Sequence, residues 1–492
     1  MEGQVLREAR LYEEKKEKHI TEDMRPAFHL TPRTGWMNDP NGFSVYGGKY
    51  HMFYQYHPYD SHWGPMHWGH AVSDDMLNWE YLPAALAPDQ KSDHAGCFSG
   101  SAIELPDGRQ LLMYTGCSRV TDENDDIKMI QEQCIAVGDG ENYVKYHSNP
   151  VLDAKDIPEG GSIYDFRDPK IITLSDGTYL CLIGNRPADG SGQILLYKSE
   201  DAFHWTYWKK LIENKNRYGK MWECPDFFEL DGKWVLLTSP QDMLPMDLEF
   251  HNGNGTIVVI GEFDETTGEF KEESISAIDY GIDFYAPQTI LDKDGNRVMI
   301  GWMQNWDSVA ARDEGEPWMG QMSLPRTLSL KDGRLIQKPI NAFDERRKNK
   351  ITYENVRLKD DLTLDGIEGR CIDMEITVRS TGDLYEKFAL WFAEKDAMHT
   401  SLRYRPADHT LKVDRKFSGS RRAILHQRRC RVDSAGDELK LRIILDRFSA
   451  EIFVNDGEKV MSLTLYTDIE ATGISFHSVG EVEFDITKYD II

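Results

Sequence analysis

The sequence predicts an all-β protein: a five-bladed β-propeller followed by a C-terminal β-sandwich, with a short N-terminal helix. From Phe43 onward, short apolar and aromatic runs alternate with Gly-Gly and Asp-Gly turns, a pattern typical of β-hairpins. Five unusual polar-aromatic segments recur at roughly sixty-residue intervals, and a four-stranded blade with its turns takes about that length. Beyond residue 340, apolar and polar residues alternate more regularly, as in a sandwich.

Residues 1–27 are expected to form an N-terminal helical extension. Within it, residues 3–22 fit a short polar helix with a few weakly apolar positions. We expect this charged helix either to cap the next domain in solvent or to contact a second copy of the chain in a homodimer. The segment lacks the apolar stretch of a secretory signal, which favours a cytoplasmic protein.

Residues 28–340 are expected to form the propeller, with the five polar-aromatic segments as its innermost strands. Polar side chains on innermost strands would converge on the central axis. The competing interpretation is a β-sandwich with coincidental turn spacing. In chain order, the segments are NDPNG at 38–42, FSGSA at 98–102, FRDP at 166–169, ECPD at 223–226 and DFYAPQ at 283–288.

Residues 345–492 are expected to form the sandwich. One predicted strand places four apolar residues on a single face: Ile372, Met374, Ile376 and Val378. An Asn-Asp-Gly turn at 455–457 separates two further strands, and Val482, Phe484 and Ile486 share a face of the last one. No catalytic constellation is visible in this domain, so we expect it to pack against the propeller.

The composition of the chain excludes several classes of binding partner. The 492-residue chain has a formal net charge of -26, which argues against nucleic acid and against an anionic membrane surface. No apolar run approaches the length of a membrane span. The seven cysteines are scattered without a C-x-x-C pair, as in a cytoplasmic protein with reduced thiols. We expect a small neutral substrate and neither a metal nor another cofactor.

Three acidic residues on the candidate innermost strands could carry chemistry: Asp39, Asp168 and Glu223. Carboxylates facing one another across a narrow axis repel, and that cost is tolerated mainly at active sites. Met221 and Trp222 precede Glu223, and as an apolar wall they would raise its pKa and keep it protonated. Asp39 is expected to stay ionised. A protonated and an ionised carboxyl on opposite sides of a bond are the groups that hydrolyse glycosides.

Seven short motifs follow one another along the chain: WMNDPNG, FYQYHP, HWGHAVS, FSGSA, FRDPK, MWECPD and SLPRTLSL. The ordered set is specific, whereas any one motif would be a modest hint. By this set the chain resembles glycoside hydrolase family 32, which comprises invertases, sucrose-6-phosphate hydrolases, inulinases and levanases. The resemblance covers residues 28–340 by motif and extends more weakly through DRFSAEIFVNDGE in the sandwich.

The resemblance implies a propeller followed by a sandwich and a retaining double displacement at a fructosyl anomeric carbon. It implies that Asp39 is the nucleophile, Glu223 the general acid/base and Asp168 the transition-state stabiliser. It further suggests sugar contacts from Asn38, Gln55, Trp63, Ser99 and Arg167. The expected substrates are sucrose and short fructo-oligosaccharides.

Other functions remain open at this point. Sucrose-6-phosphate hydrolysis needs a basic phosphate contact that the sequence does not reveal. Fructosyl transfer to a sugar acceptor would use the same three acids. An inverting five-bladed hydrolase of arabinose-containing substrates is the nearest other enzyme class. A non-catalytic fructan-binding protein is disfavoured because all three acids are present.

Three further features have plainer interpretations. The histidines of HWGPMHWGH, 62–70, match no common zinc spacing and fit a substrate rim or a blade turn better. Cys224 is expected to pack beside Glu223 and tune it rather than to act as a nucleophile. Trp302 and Trp306 fit either the rim of the pocket or the interior of a blade.

Overall fold

The N-terminal helix is present and packs on the first blade. The computed structural model describes residues 3–121, 125–308, 316–382, 385–419, 425–432 and 438–491; the outer ends of the predicted first and last domains, Met1 and Ile492, lie outside them. Helix α1 (Gln4–Glu17) buries Leu6, Ala9 and Glu13. The Glu13 carboxylate accepts a hydrogen bond from the Ala84 N–H at 2.9 Å, so one face of this helix is covered by the propeller. Within the described ranges, no helix is long and apolar enough to cross a membrane.

Five sheets, each built around four antiparallel strands, form the blades, which confirms the predicted propeller. The first blade contains β1 (Gly35–Tyr46), β2 (Lys49–His57), β3 (His67–Ser73) and β4 (Glu80–Leu86). The second contains β5 (Gly96–Glu104), β6 (Gln110–Thr121), β7 (Ile127–Gly138) and β8 (Tyr143–Lys145). The third contains β9 (Phe166–Thr173), β10 (Tyr179–Asn185), β11 (Gln193–Ser199) and β12 (Thr206–Glu213).

The last two blades complete the ring. The fourth contains β13 (Trp222–Leu230), β14 (Lys233–Pro240), β15 (Ile257–Asp264) and β16 (Glu269–Ala277). The fifth contains β17 (Tyr285–Leu291), β18 (Arg297–Trp302), β20 (Arg326–Lys331) and β21 (Arg334–Pro339), and it is interrupted by β19 (Trp318–Met319). Because β19 pairs in parallel with β1 of the first blade, it ties the end of the ring to its beginning.

The innermost strand of every blade shifts its pairing register near the axis. The irregular positions include Asp39, Ser99, Asp168, Cys224 and Ala286. In four of these five strands the next residue is proline, which has no N–H to donate and is tolerated in sheets mainly at such irregular places. Bulges bend a strand and re-aim its side chains, so each innermost strand can turn extra side chains toward the axis.

Two six-stranded sheets form the C-terminal sandwich, as predicted. Helix α2 (Asn341–Asp344) precedes them. The first sheet contains β22 (Arg347–Leu358), β24 (Ile372–Ser380), β29 (Glu438–Asp446), β30 (Ser449–Val454), β31 (Lys459–Thr464) and β33 (Val482–Ile491). The second contains β23 (Asp361–Leu362), β25 (Lys387–Lys395), β26 (Met398–Arg405), β27 (Thr410–Phe417), β28 (Gln427–Arg431) and β32 (Gly473–Val479). The apolar faces predicted for β24 and β33 are buried between the sheets.

Buried charges join the sandwich to the propeller side. The two ring nitrogens of His29 lie 2.8 Å from Asp446 Oδ2 and 3.0 Å from Glu451 Oε1. The Arg326 guanidinium donates to Glu451 Oε2 and, at 3.0 Å, to Asp279 Oδ2. Burial alone would lower the pKa of His29, but the hydrogen bonds that it donates to its two carboxylate partners, and their charges, raise it to about 9.

The His29 contact predicts a pH-dependent stability. Because the folded pKa of about 9 exceeds the ordinary 6.5, the stabilisation is complete below about pH 6.5 and is lost as the pH rises through 9. His29→Gln should therefore lower the thermal midpoint near pH 6.5 by several degrees, with a difference that shrinks toward about pH 10. Circular dichroism melts of both proteins across this range measure the effect. A difference that does not change with pH would contradict it.

Candidate active site

The innermost strands surround one open cavity at the propeller axis, with a volume of about 560 Å³. All eight site residues predicted from the sequence line it: Asn38, Asp39, Gln55, Trp63, Ser99, Arg167, Asp168 and Glu223. The blades therefore bring into one pocket three acids that are far apart in the sequence.

Asp39 is buried, and one of its two carboxylate oxygens accepts a hydrogen bond. Its Oδ2 accepts a hydrogen bond from the Ser99 hydroxyl at 2.9 Å and lies 3.6 Å from the Cys224 thiol. Its Oδ1 has no hydrogen-bond partner among the described residues. Burial and the charge of Glu223 raise the pKa of Asp39 to about 6, although hydrogen bonds from Asn38, Ser99 and Cys224 oppose the rise. At neutral pH the carboxylate is therefore largely ionised.

Asp168 is held by backbone contacts in an unusual conformation. Its Oδ2 accepts the Cys224 N–H at 2.9 Å, and its own N–H donates to Thr115 Oγ1 at 2.9 Å. Its φ of 66° lies in the left-handed region that few residues other than glycine adopt. Burial raises the pKa of Asp168, the Arg167 guanidinium lowers it, and the charge of Glu223 raises it again. Burial and the neighbouring carboxylates therefore disfavour the negative charge of Asp168, and Arg167 offsets part of that cost.

Glu223 is held by hydrogen bonds rather than by an apolar wall. Its Oε1 accepts from Nε and Nη2 of Arg167 at 3.1 and 2.9 Å, and its Oε2 accepts from the Tyr285 hydroxyl at 2.6 Å. The expectation that Met221 and Trp222 would enclose it is wrong, because neither lines the cavity. Neighbours on a strand point to opposite faces, and the Trp222 indole packs into a core between the third and fourth blades.

Arg167 is fixed on both sides. Its Nη1 donates to Asp165 Oδ1 at 2.9 Å and to Gln131 Oε1 at 3.2 Å. Asp165 in turn accepts from Nε and Nη2 of Arg186 at 2.9 and 2.7 Å. The direct distance from Arg167 Nε to Asp168 Oδ2 is 3.9 Å, so the guanidinium faces Glu223 more closely than its chain neighbour. This arrangement orients the guanidinium toward the Glu223 carboxylate.

Six lining residues were missed by the sequence analysis: Phe98, Gln131, Asp165, Gln241, Asp242 and Asn254. The first and third lie inside or beside quoted motifs, so their position was a usable signal. Of the other four, Gln131 lies on β7, the third strand of its blade, and the rest lie in the loop between β14 and β15, where no local pattern marks them. The two tryptophans with two possible positions differ from each other. Trp306 lines the cavity, whereas Trp302 is buried, and the centroids of their rings are 5.0 Å apart.

The histidines of residues 62–70 do not share a site. Their hydrogen-bond partners differ: Asp60 for His62, the Pro65 carbonyl for His67, and His51 for His70. Across the described ranges, no group of three or more histidine, cysteine or acidic side chains could hold a metal ion. Cys224 is buried and, through its thiol, contacts Asp39 rather than the adjacent Glu223.

Comparison with known families accounts for nearly the whole chain. Residues 29–339 match the family model for the glycosyl hydrolases family 32 N-terminal domain, and residues 342–491 match the model for its C-terminal domain. The chain belongs to glycosyl hydrolase family 32. It is a glycoside hydrolase.

Several proteins align with most of this chain. A sucrose-6-phosphate hydrolase and a raffinose invertase, both of Escherichia coli, are each 36% identical, and each alignment covers 92% of this chain. It covers 91% of the first relative and 92% of the second. A Bombyx mori beta-fructofuranosidase has a similar structure, with a TM-score of 0.82, 34% identity, and coverage of 99% of this chain and 97% of that one. A variant of the silkworm enzyme has been solved in complex with sucrose.

The buried carboxylate of Asp39 is expected to lower the stability of the folded protein at neutral pH. Because the folded pKa of about 6 lies above the ordinary value of 3.8, the ionised carboxylate destabilises the folded state. This destabilisation is absent at low pH and reaches its full size above about pH 6. Asp39→Asn should therefore raise the thermal midpoint at pH 7 to 8, and the gain should vanish near pH 4. The exposed turn variant Asp332→Asn is the control, melted over the same pH series. A variant destabilised at pH 7 would contradict the prediction.

Proposed function

We propose that this family 32 enzyme hydrolyses terminal β-D-fructofuranosyl groups of sucrose and short fructo-oligosaccharides with retention of configuration. The observation that carries the proposal is the arrangement of two carboxylates that line the same cavity. One oxygen of Asp39 has no hydrogen-bond partner among the described residues, whereas Glu223 accepts hydrogen bonds from Arg167 and Tyr285. The sucrose complex of the silkworm relative and the invertase among the relatives support the substrate.

In the first step, the Asp39 carboxylate attacks the fructosyl anomeric carbon while Glu223 gives a proton to the departing glycosidic oxygen. The bond to the leaving sugar breaks, a fructosyl ester of Asp39 forms, and glucose leaves with the proton. Because burial and the charge of Glu223 raise the pKa of Asp39 to about 6, this carboxylate is protonated and loses its nucleophilicity as the pH falls below that value.

In the second step, Glu223 is ionised and removes a proton from water. The water oxygen attacks the anomeric carbon, the ester bond breaks, and fructose leaves with Asp39 restored as a carboxylate. Two inversions at one carbon leave the configuration retained. Arg167 and Tyr285 hold the Glu223 carboxyl in place for both proton transfers.

The remaining pocket residues are proposed to hold the fructosyl ring. Asp168 accepts hydrogen bonds from sugar hydroxyls, and these bonds strengthen as positive charge develops on the ring in the transition state. Asn38, Gln55 and Ser99 offer polar groups, and Trp63 offers an apolar face. Trp63 is 47% exposed, which suits a ring that closes over a ligand at the mouth.

Removing the nucleophile tests the mechanism. Asp39→Asn should lower the rate of sucrose hydrolysis by at least about a thousandfold, because an amide cannot form the ester. Fructose should still quench the fluorescence of the pocket tryptophans, since the change is isosteric. Asp332→Asn, far from the cavity in an exposed turn, should keep wild-type rates. A substituted enzyme that remained active, or an initial product of inverted anomeric form by NMR, would overturn the proposal.

The charge of the pocket predicts the leaving-group preference. Among the described lining residues five are acidic, and the single cation, Arg167, is already paired with Glu223 and Asp165. A phosphate on the glucosyl group would enter a negative potential. We therefore expect kcat/KM for sucrose to exceed that for sucrose-6-phosphate by at least about tenfold, with the ratio falling as salt is added. Equal or better use of the phosphorylated sugar would contradict this.

A further inference from the structure

The fourth blade carries an extra hairpin between β14 and β15, residues 241–256, that reaches from the cavity to the sandwich. Met243 and Gly253 exchange backbone hydrogen bonds at 2.8 and 3.0 Å, and Met246 N–H donates to the Phe250 carbonyl at 3.0 Å. The pocket end of this hairpin supplies Gln241, Asp242 and Asn254 to the cavity lining. The hairpin is therefore a continuous element with one end in the active site.

The outer end of the hairpin rests on strand β28 of the sandwich. Arg428 Nη2 donates to the Asn252 carbonyl at 3.0 Å. His251 Nε2 lies 2.7 Å from the Arg429 carbonyl. Arg431 forms a two-pronged contact with Asp247, at 2.9 and 3.1 Å.

These contacts differ in weight. Arg428 is buried, with 9% of its surface exposed, so its hydrogen bonds are shielded from water. The Arg431–Asp247 pair is more than half exposed on both sides and is expected to contribute little by itself. Of the two arginine contacts, that of Arg428 therefore contributes more to holding the outer part of the hairpin.

A second set of contacts holds the pocket end of the hairpin. Asn254 N–H donates to Asp307 Oδ2 at 2.9 Å, and Asn305 Nδ2 donates to the Asn254 carbonyl at 2.8 Å. Asn305 and Asp307 belong to a turn, residues 305–308, which also places Trp306 in the cavity lining. Ser308 in the same turn donates to Asp283 at 2.6 Å, and that buried carboxylate pairs with Arg415 of the sandwich.

The position of the hairpin assigns it to one side of the substrate. Strand β14 pairs with β13 so that Glu223 is opposite Ser239, and the hairpin begins two residues later. Since Glu223 protonates the leaving oxygen under the proposed function, the residues rising beside it face the leaving group rather than the fructosyl ring. Asp242 is exposed there, with a left-handed φ of 53°.

We propose that the sandwich sets leaving-group specificity, with Arg428 as the main positioning residue and Arg431 as a lesser one. They hold Asp247 and Asn252 of the 241–256 hairpin, and through it they place Gln241, Asp242 and Asn254 against the leaving sugar. The sandwich is thus more than a packing partner for the propeller. The inference rests on the proposed function, because it requires the leaving group to lie beside Glu223.

The test compares two substrates that share a fructosyl group and differ in the leaving group: sucrose and methyl β-D-fructofuranoside. Arg428→Met keeps the aliphatic stem and removes the guanidinium. It should lower kcat/KM for sucrose by about three- to tenfold, mainly through KM, while the methyl glycoside changes by less than about twofold. Arg428→Lys, which keeps one donor, should recover part of the loss, and Arg431→Ala should show a smaller effect of the same kind.

The matched control is Arg379→Met, an arginine of the same sandwich that pairs with Glu438 and Asp485. It should leave both substrates at wild-type values. An equal loss on both substrates would overturn the inference, and so would an unchanged value for sucrose in a folded Arg428→Met protein. If that variant fails to fold, Arg431→Ala with the same two substrates decides the matter. A wild-type enzyme inactive on both substrates would overturn the proposed function and this inference with it.

Discussion

Each innermost strand departs from regular β pairing where it reaches the axis, and the pocket depends on that departure. A regular strand sends alternate side chains to opposite faces, so it could present only every second residue to a central cavity. The register shifts allow neighbours such as Asn38 and Asp39, or Arg167 and Asp168, to line the same cavity. The cost is local strain, seen as left-handed φ values at Asp168, Cys224 and Ala286.

The shifts also sort the acids into two sets of positions. Asp39 and Asp168 occupy the irregular position itself, each directly before a proline, and the equivalent residues Ser99 and Cys224 bind them. Glu223 stands one position earlier, beside the equivalents Arg167 and Tyr285 of the neighbouring blades. One set therefore offers a carboxylate oxygen without a donor, and the other surrounds its carboxylate with donors. The difference in their environments follows from a displacement of one residue along the strand.

Sequence reasoning could predict what local pattern encodes. Turn chemistry and spacing predicted the blades, and the sandwich faces followed from alternation, because both are repeated along the chain. The three acids were found because unusual residues surround them. Gln131, Asp242 and Asn254 lie outside such segments and reach the cavity only through tertiary packing. The error at Trp222 has the same origin, since the face a residue takes beside a bulge depends on pairing with another strand.

Buried charges between the sandwich and the propeller are a poor source of stability, because desolvation offsets most of the attraction. They are directional, however, and an apolar interface of the same area would tolerate sliding. Arg415 of β27 pairs with Asp283 in the segment between β16 and β17, and Arg326 of β20 pairs with Glu451 of β30. A relative rotation would leave these charges unpaired. Because the two domains keep a fixed orientation, the sandwich holds the 241–256 hairpin at a constant position. A contact that determines the geometry of the leaving group requires such a constant position.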